Sequence, residues 1–232
     1  LIADSRPLLV ITARVGSSRL PGKVLKPIYK SLSILEFLIQ RLNRCQETSR
    51  LVITTGYAKE NDKIQEIGER NGIEVLRGPE EDVLSRVDIC LNHEKNVDII
   101  GRVTADNPLT DPSLIKMQLS EMKKSQSDYS YCLESPVGTA VDLWTKECFK
   151  RTCSSVRTQH EREHINSWVW NNPQKNQILW FKPSEDMCNK KKSVTIDTAE
   201  DYTKVRRLIE CNKDPLGITL SQIINFNYEG GI

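Results

Sequence analysis

The chain has no apolar stretch near the ~20 residues a membrane span needs, and no signal peptide is visible. Strong charge of either sign is also missing. The net charge is +2 over 232 residues, so bulk charge does not indicate non-specific nucleic-acid binding, and any basic site has to be local. Seven cysteines are present, but no two form a C-x-x-C pair. Their odd number and scattered placement argue against a disulfide framework or a zinc site and for a reducing cytoplasm. A Rossmann G-x-G-x-x-G, an H-E-x-x-H and any Ser-His-Asp or Cys-His signature are absent. A Walker A loop is excluded too: five residues separate Gly16 from Gly22, and Val24 stands where a metal-binding hydroxyl belongs. No internal repeat is evident. With 38% apolar residues the chain can fill the core of one domain.

What is there is a concentrated loop. Residues 8–13, Leu-Leu-Val-Ile-Thr-Ala, read as a buried strand of a parallel sheet. Residues 14–27 follow with Gly16, Pro21, Gly22 and Pro27, which break strand and helix alike. That loop carries Arg14, Arg19, Lys23 and Lys26 and no acid. A glycine-bearing basic loop after a first strand is suited to a polyanion: backbone N–H groups can approach it, and the cations supply counter-charge. The bland alternative is a mobile basic loop. Nucleic acid is disfavoured because no aromatics interleave with the cations.

Strand and helix then alternate. Ser33 and Glu36 give a capping box before a helix to Leu42. Strands are expected at 50–55, 73–76 and 97–103. Helices are expected at 58–71, stopped by Asn71-Gly72, at 79–93, with Pro first and acids in the first turn, and from Asp111 or Pro112 to about Lys124. Beyond that, strands are expected at 128–133, 140–144 and 194–196. Helices are expected at 146–154, 161–170 and 199–211, with a short helix or tail at 216–226 and a linker at 229–231. The pattern predicts a parallel sheet with helices on both faces. Its strand-to-helix loops, 14–27, 55–61, 77–82 and 104–111, share the ligand-binding edge.

Two aspartates stand at strand ends. Asp106 either helps hold a hard cation such as Mg²⁺ or opens an Asx turn before Pro108. Asp197 is either a second carboxylate for that cation or a helix N-cap. Arg162 and His164 could recognise an acidic or hydroxylated acceptor, or sit on a solvated helix start. Lys190–Lys192 read as a solvated turn, and Trp168 and Trp170 as packing.

Arg14-Val-Gly-Ser-Ser-Arg-Leu-Pro-Gly-Lys-Val-Leu25 resembles the signature of cytidylyltransferases of the spore-coat polysaccharide type, relatives of CMP-KDO synthetase and acylneuraminate cytidylyltransferase. Residues 77–84, 106–109, 162–164 and 196–201 are similar to the family's later motifs, in the family's order. The pattern departs at Ala105 (usually Gly), at Val137-Gly138 (usually Asp-Gly) and at Ala199 (usually Pro).

The resemblance implies a three-layer α/β/α sandwich with a mostly parallel sheet, the GT-A-like nucleotide-diphospho-sugar transferase fold. It implies one domain over 1–232, with a nucleotide-binding half to about 125 and an acceptor-binding and dimerisation half after it. Because the chain starts at Leu1, excision from a longer protein is expected. The implied activity is Mg²⁺-dependent transfer of CMP from CTP to a sugar acid or related small acidic acceptor. The implied setting is the cytoplasm, with no nucleic-acid or membrane partner and with a homodimer as the assembly. Implied nucleotide contacts are Ala13, Arg14, Gly16, Ser17, Ser18, Arg19, Lys23, Arg77, Asp82 and Thr104. Arg19, Lys23 and Asp106 are the implied catalytic residues, Asp106 and Asp197 the metal ligands, and Asn107, Asp142, Arg162 and His164 the acceptor contacts. The departures motivate one alternative, a non-catalytic nucleotide-binding module fused to or partnered with another enzyme.

Overall fold

The structure, a computed structural model, describes residues 7–44 and 50–227. Cys45 and the expected linker at 229–231 lie outside them. In chain order the elements are β1 (Leu8–Thr12), β2 (Pro27–Tyr29), β3 (Leu32–Ser33), α1 (Ile34–Asn43), β4 (Arg50–Gly56), α2 (Asp62–Asn71), β5 (Glu74–Gly78), α3 (Val83–His93), β6 (Ile99–Thr104) and α4 (Pro112–Ser125). There follow β7 (Tyr129–Tyr131), β8 (Asp142–Thr145), α5 (Lys146–Ser155), α6 (Gln159–Glu163), α7 (Ser167–Asn171), β9 (Ile178–Trp180), α8 (Ala199–Glu210) and α9 (Leu220–Asn225).

One seven-stranded sheet runs β5-β4-β1-β6-β8-β7-β9. The first four strands in that order are parallel. β8 alone is antiparallel to its neighbours, and β9 is parallel to β7. Strand alternation sorts β1 between two cores. Leu9 and Ile11 pack with Leu38 of α1, Ile64 of α2 and Ile115 of α4. Leu8 and Val10 pack with Val87 of α3 and Phe149 of α5. The result is the expected three-layer α/β/α sandwich, mostly parallel. The chain runs from β1 to β4 and β5 on one side, then crosses to β6 on the other. Such a reversal leaves a crevice at the carboxyl ends of β1 and β6.

Local chemistry sets the boundaries. Ser33 caps α1 with the full capping box to Glu36. Gly72 ends α2 in the left-handed region, as Asn71-Gly72 predicts. Cys90, Cys132 and Cys148 are buried, and burial pushes the Cys90 and Cys148 thiols up to about 12. A third core gathers Ile28, Phe37, Leu109, Val194, Ile196 and Leu208. It fixes α8 and the segment before it against the rest of the domain. Among the described residues no helix is long and apolar enough to cross a membrane.

Four expectations need correction. α3 starts at Val83, not Pro79, because Asp82 accepts from Ser85 N at 2.9 Å and is the N-cap. Glu80 and Glu81 therefore lie in the loop before the helix. The helix expected at 161–170 is two short ones, broken where His164 takes φ −99°, ψ 72°. The strand expected at 194–196 does not form. That segment makes single contacts instead, Val194 N to Val137 O at 2.8 Å and Ile196 N to Asp106 O at 2.9 Å. The short β2–β3 hairpin falls in a stretch whose sequence pattern suggests only loop and helix start.

Arg41 of α1 is a buried clamp, 1% exposed. It donates to Thr110 O and Leu216 O at 2.9 Å each, to Ile218 O, and to Asp111 Oδ2 at 3.3 Å. Arg41→Ala removes one partner of a buried pair and leaves Asp111 Oδ2 without its cation, while Oδ1 still caps α4, so it should lower unfolding free energy by about 3–5 kcal/mol. Urea denaturation checks this, and a loss below about 1 kcal/mol, the scale of a surface pair, contradicts the clamp.

Candidate active site

The basic loop is stitched to its neighbours through the backbone. Ala13 N donates to Thr54 O at 3.0 Å, and Val15 N to Asn61 Oδ1 at 2.9 Å. Asn61 is fully buried, and its amide donates in turn to both oxygens of Glu80 at 3.2 and 3.1 Å. One asparagine thus ties the loops after β1, β4 and β5. Gly22 N closes the loop on Val15 O at 3.1 Å. Gly22 has φ 68°, where a side chain is strained. It hands the chain into a 3-10 turn, Lys23–Leu25, that turns Lys23 inward.

Lys23 is only 8% exposed. Its Nζ donates to Asp106 Oδ2 at 2.7 Å, to Ile196 O at 2.8 Å and to Asp197 Oδ1 at 3.0 Å. Arg19 reaches over from solvent to Asp197 Oδ1 at 2.8 Å. Two aspartates remote in sequence therefore meet on one ammonium. Neither takes the local role that was its alternative. Asp106 turns to Lys23 rather than to its own backbone. The N-cap of α8 is Thr198, in a capping box with Asp201, which leaves the Asp197 carboxylate to face the cleft. Val194 and Ile196, both fully buried, anchor this segment; each contributes about 1.5–3 kcal/mol of apolar burial.

The cleft has a volume of about 370 Å³. The structure brings Ala13, Arg14, Gly16, Ser17, Ser18, Arg19, Lys23, Thr104, Asp106, His164 and Asp197 to it. Arg14 is held at the rim by Glu81 at 2.9 Å and Glu163 at 3.4 Å. Five residues expected at the site are placed elsewhere. Arg77 pairs with Asp62 at the start of α2, at 2.7 Å. Asp82 is used up by the cap and by Arg162 Nη1 at 2.7 Å, which commits Arg162 as well. Asp142, on the interior strand β8, is 3% exposed. It accepts from Tyr129 Oη and from Asn166 Nδ2 at 3.1 Å, and it forms an ion pair with Arg102 Nη2 at 3.1 Å. Asn107 donates to Thr104 Oγ1 at 2.6 Å and packs against the loop at Gly138. There φ is +92°, and a Cβ would lie 2.7 Å from Thr195 Oγ1 and 2.9 Å from Asn107 Oδ1, so the glycine is required.

Two cleft residues carry no motif in the sequence. Arg86 lies on the otherwise apolar inner face of α3 and is 2% exposed. It donates through Nη1 to Pro79 O at 2.7 Å and to Glu80 O, and has no carboxylate hydrogen-bond partner among the described residues. Burial pushes its guanidinium below its ordinary value. Arg102 interrupts the buried run of β6 and opposes Asp142 in register. The signal available is a cation inside an apolar pattern, which is rare unless paired or used.

Cations and two carboxylates at the strand ends of a doubly wound sheet suit the phosphates of a nucleotide and a counter-cation. Comparison with known proteins gives the family. The cytidylyltransferase family model matches residues 8–223, and the chain belongs to that family of nucleotidyltransferases. The spore coat polysaccharide biosynthesis protein SpsF of Bacillus subtilis is 30% identical over 223 residues, covering 94% of this chain and 92% of its own. A cytidylyltransferase structure from Leptospira borgpetersenii superposes with a TM-score of 0.86 at 28% identity, covering 95% of this chain and 93% of its own. The structure of CMP:2-keto-3-deoxy-manno-octonic acid synthetase complexed with CTP shares the fold, with a TM-score of 0.65 at 16% identity over 89% of this chain and 99% of its own.

Asp82 supplies a pH test. Partial burial raises its pKa, but the bonds from Ser85 and Arg162 outweigh that and hold it below the usual carboxylate range. A lowered native pKa gives stability that is present above the unfolded value, about 4, and lost as pH falls through the native one. Asp82→Ala should cost about 1–2 kcal/mol at pH 7 through the lost cap. It should also flatten the acid limb of the stability profile below about pH 4. An unchanged acid limb contradicts the assignment.

Proposed function

We propose that the cleft transfers CMP from CTP to a small acidic acceptor, a sugar acid or a close relative, in the synthesis of surface polysaccharide or glycoconjugate precursors. The observation that carries this reading is Lys23 gripping Asp106 and Asp197 together at the foot of the basic loop. An acceptor hydroxyl oxygen attacks the α-phosphorus in line. The bond from that phosphorus to the bridging oxygen breaks, pyrophosphate leaves with the electron pair, and the hydroxyl proton passes to solvent water. Negative charge grows on the departing oxygen, where Arg19 and Lys23 offset it. The backbone of residues 13–18 orients the nucleotide, so catalysis is positioning and electrostatics.

The donor set fits a hard cation. Asp106 Oδ1 and Asp197 Oδ2 have no protein partner among the described residues, while the opposite oxygens hold Lys23. Asp106 and Asp197 would hold Mg²⁺, which supplies charge neutralisation at the phosphate oxygens. Ala105 in place of the family's glycine puts its methyl into the buried core beneath the sheet. SpsF is named for polysaccharide biosynthesis, and the CTP-bound fold relative for an octonic acid. Both names support the polysaccharide setting and the acidic acceptor.

The test is pyrophosphate release from CTP and Mg²⁺ with a panel of acidic sugars. Lys23→Ala and Asp106→Ala should each lower kcat by about 10²–10³, the scale of a lost transition-state contact. Full activity in either rejects its role. Chelation should stop the reaction and added Mg²⁺ restore it, with Asp197→Asn raising the Mg²⁺ concentration required. Turnover that survives chelation removes the metal from the proposal.

A further inference from the structure

The cleft has two walls of different chemistry. One is the basic loop with Asp106 and Asp197, where the cations and carboxylates are already in contact. The other lies on the α3 face of the sheet. In β6, Ile100, Arg102 and Thr104 point to that face by alternation; Ile100 joins the α3-side core, and its cross-strand neighbour Trp144 does too. Arg86 comes to the same wall from α3. Both arginines line the cleft. The Nε of each is buried without a hydrogen-bond partner among the described residues.

Buried guanidinium donors left unpaired are costly, and a buried cation more so. Arg102 is half-compensated from below by Asp142, at 3.1 Å. Among the described residues Arg86 hydrogen-bonds two main-chain carbonyls and no carboxylate, with Glu80, Glu81 and Asp82 acting on it through space. Of the charged side chains that line the cleft, five are cationic and three are carboxylates. The surplus sits at this wall, because Arg19 and Lys23 are matched by Asp106 and Asp197, and Arg14 by Glu81 and Glu163.

We infer that Arg86 and Arg102 form the subsite for a carboxylate of the acceptor, and so determine that the substrate is an acid. The inference rests on the transfer reading above. With the triphosphate at the first wall, the remainder of the donor is a nucleoside, which carries no charge to offset two buried guanidinium groups. The anion at the second wall belongs to the acceptor. A planar guanidinium fork suits a carboxylate. Asp142 is then a positioning residue: with Tyr129 and Asn166 around it, it fixes the angle at which Arg102 meets the acid. This also accounts for an acidic side chain at a place the family resemblance assigns to the acceptor, though Asp142 itself lies beneath the cleft.

The experiment uses the full chain, CTP, Mg²⁺ and a panel of sugar acids that includes 2-keto-3-deoxy-manno-octonic acid, each paired with its methyl ester. The expected result is pyrophosphate release with an acid and little or none with its ester. Arg102→Gln and Arg86→Gln should each raise the acceptor KM by at least about 30-fold, as for a broken buried charge pair, while the CTP dissociation constant measured by calorimetry stays within error. Arg102→Lys, which keeps the charge and the Asp142 pair but loses the fork, should fall between, and it carries the test if Arg86→Gln does not fold. Asp142→Asn should raise acceptor KM without moving CTP binding. Esters or neutral sugars turned over as well as acids, or a loss that falls on CTP rather than on the acceptor, overturns the arginine subsite and leaves nucleotidyl transfer standing. No pyrophosphate with any acceptor overturns the transfer reading and the subsite together.

Discussion

The ammonium of Lys23 is the point on which the domain closes. It is almost wholly buried and meets Asp106, 83 residues away in sequence, and Asp197, 174 residues away. A buried cation persists only when paired and fully hydrogen-bonded. Lys23 satisfies that with two carboxylates and one main-chain carbonyl. The basic loop, the end of β6 and the segment before α8 are therefore held in one place by one group. The third hydrophobic core, with Val194 and Ile196 inside it, supplies the apolar burial that brings Asp197 there.

Everything around that contact follows from strand order. Because the chain reverses direction across the sheet after β5, the ends of β1 and β6 lie side by side at the crevice. The loops that rise there are braced against each other through Asn61 and Glu80 and at the rim through Arg14, Glu81 and Glu163. α6 docks on the same rim, where Gln159 donates to Glu81 O at 2.6 Å. Braced loops carry the site, which suits electrostatic catalysis, since donors that must reorganise lose much of their advantage.

The alternation of apolar strands with capped helices makes the first half readable, because β1, α1, β4, α2 and β6 each obey one period and one set of end signals. The basic loop and the strand-end aspartates are readable for a related reason: residue type and position in a strand–loop–helix unit limit what such groups can do. Side-chain destinations are less so. Arg77, Asp82, Asp142 and Arg162 have the chemistry of site residues but are taken by Asp62, by Ser85, by Arg102 and by Asp82 respectively. Nothing local distinguishes a free charge from a paired one. The irregular path of 193–197 arises from tertiary contacts across more than fifty residues, Val194 to Val137 and Ile196 to Asp106, which no local pattern encodes. Arg86 and Arg102 do not stand out because each sits singly in an apolar run, where burial rather than motif carries the signal.

The central claim is that Lys23, Asp106 and Asp197 are one nucleotide–metal centre. A crystal structure of the chain with CTP and Mg²⁺ tests it most directly. The account predicts an ion about 2.0–2.1 Å from an oxygen of each aspartate, with Lys23 Nζ turned from the carboxylates to a phosphate oxygen. CTP bound in the cleft with its metal away from both aspartates, and with Lys23 still bridging them, contradicts it.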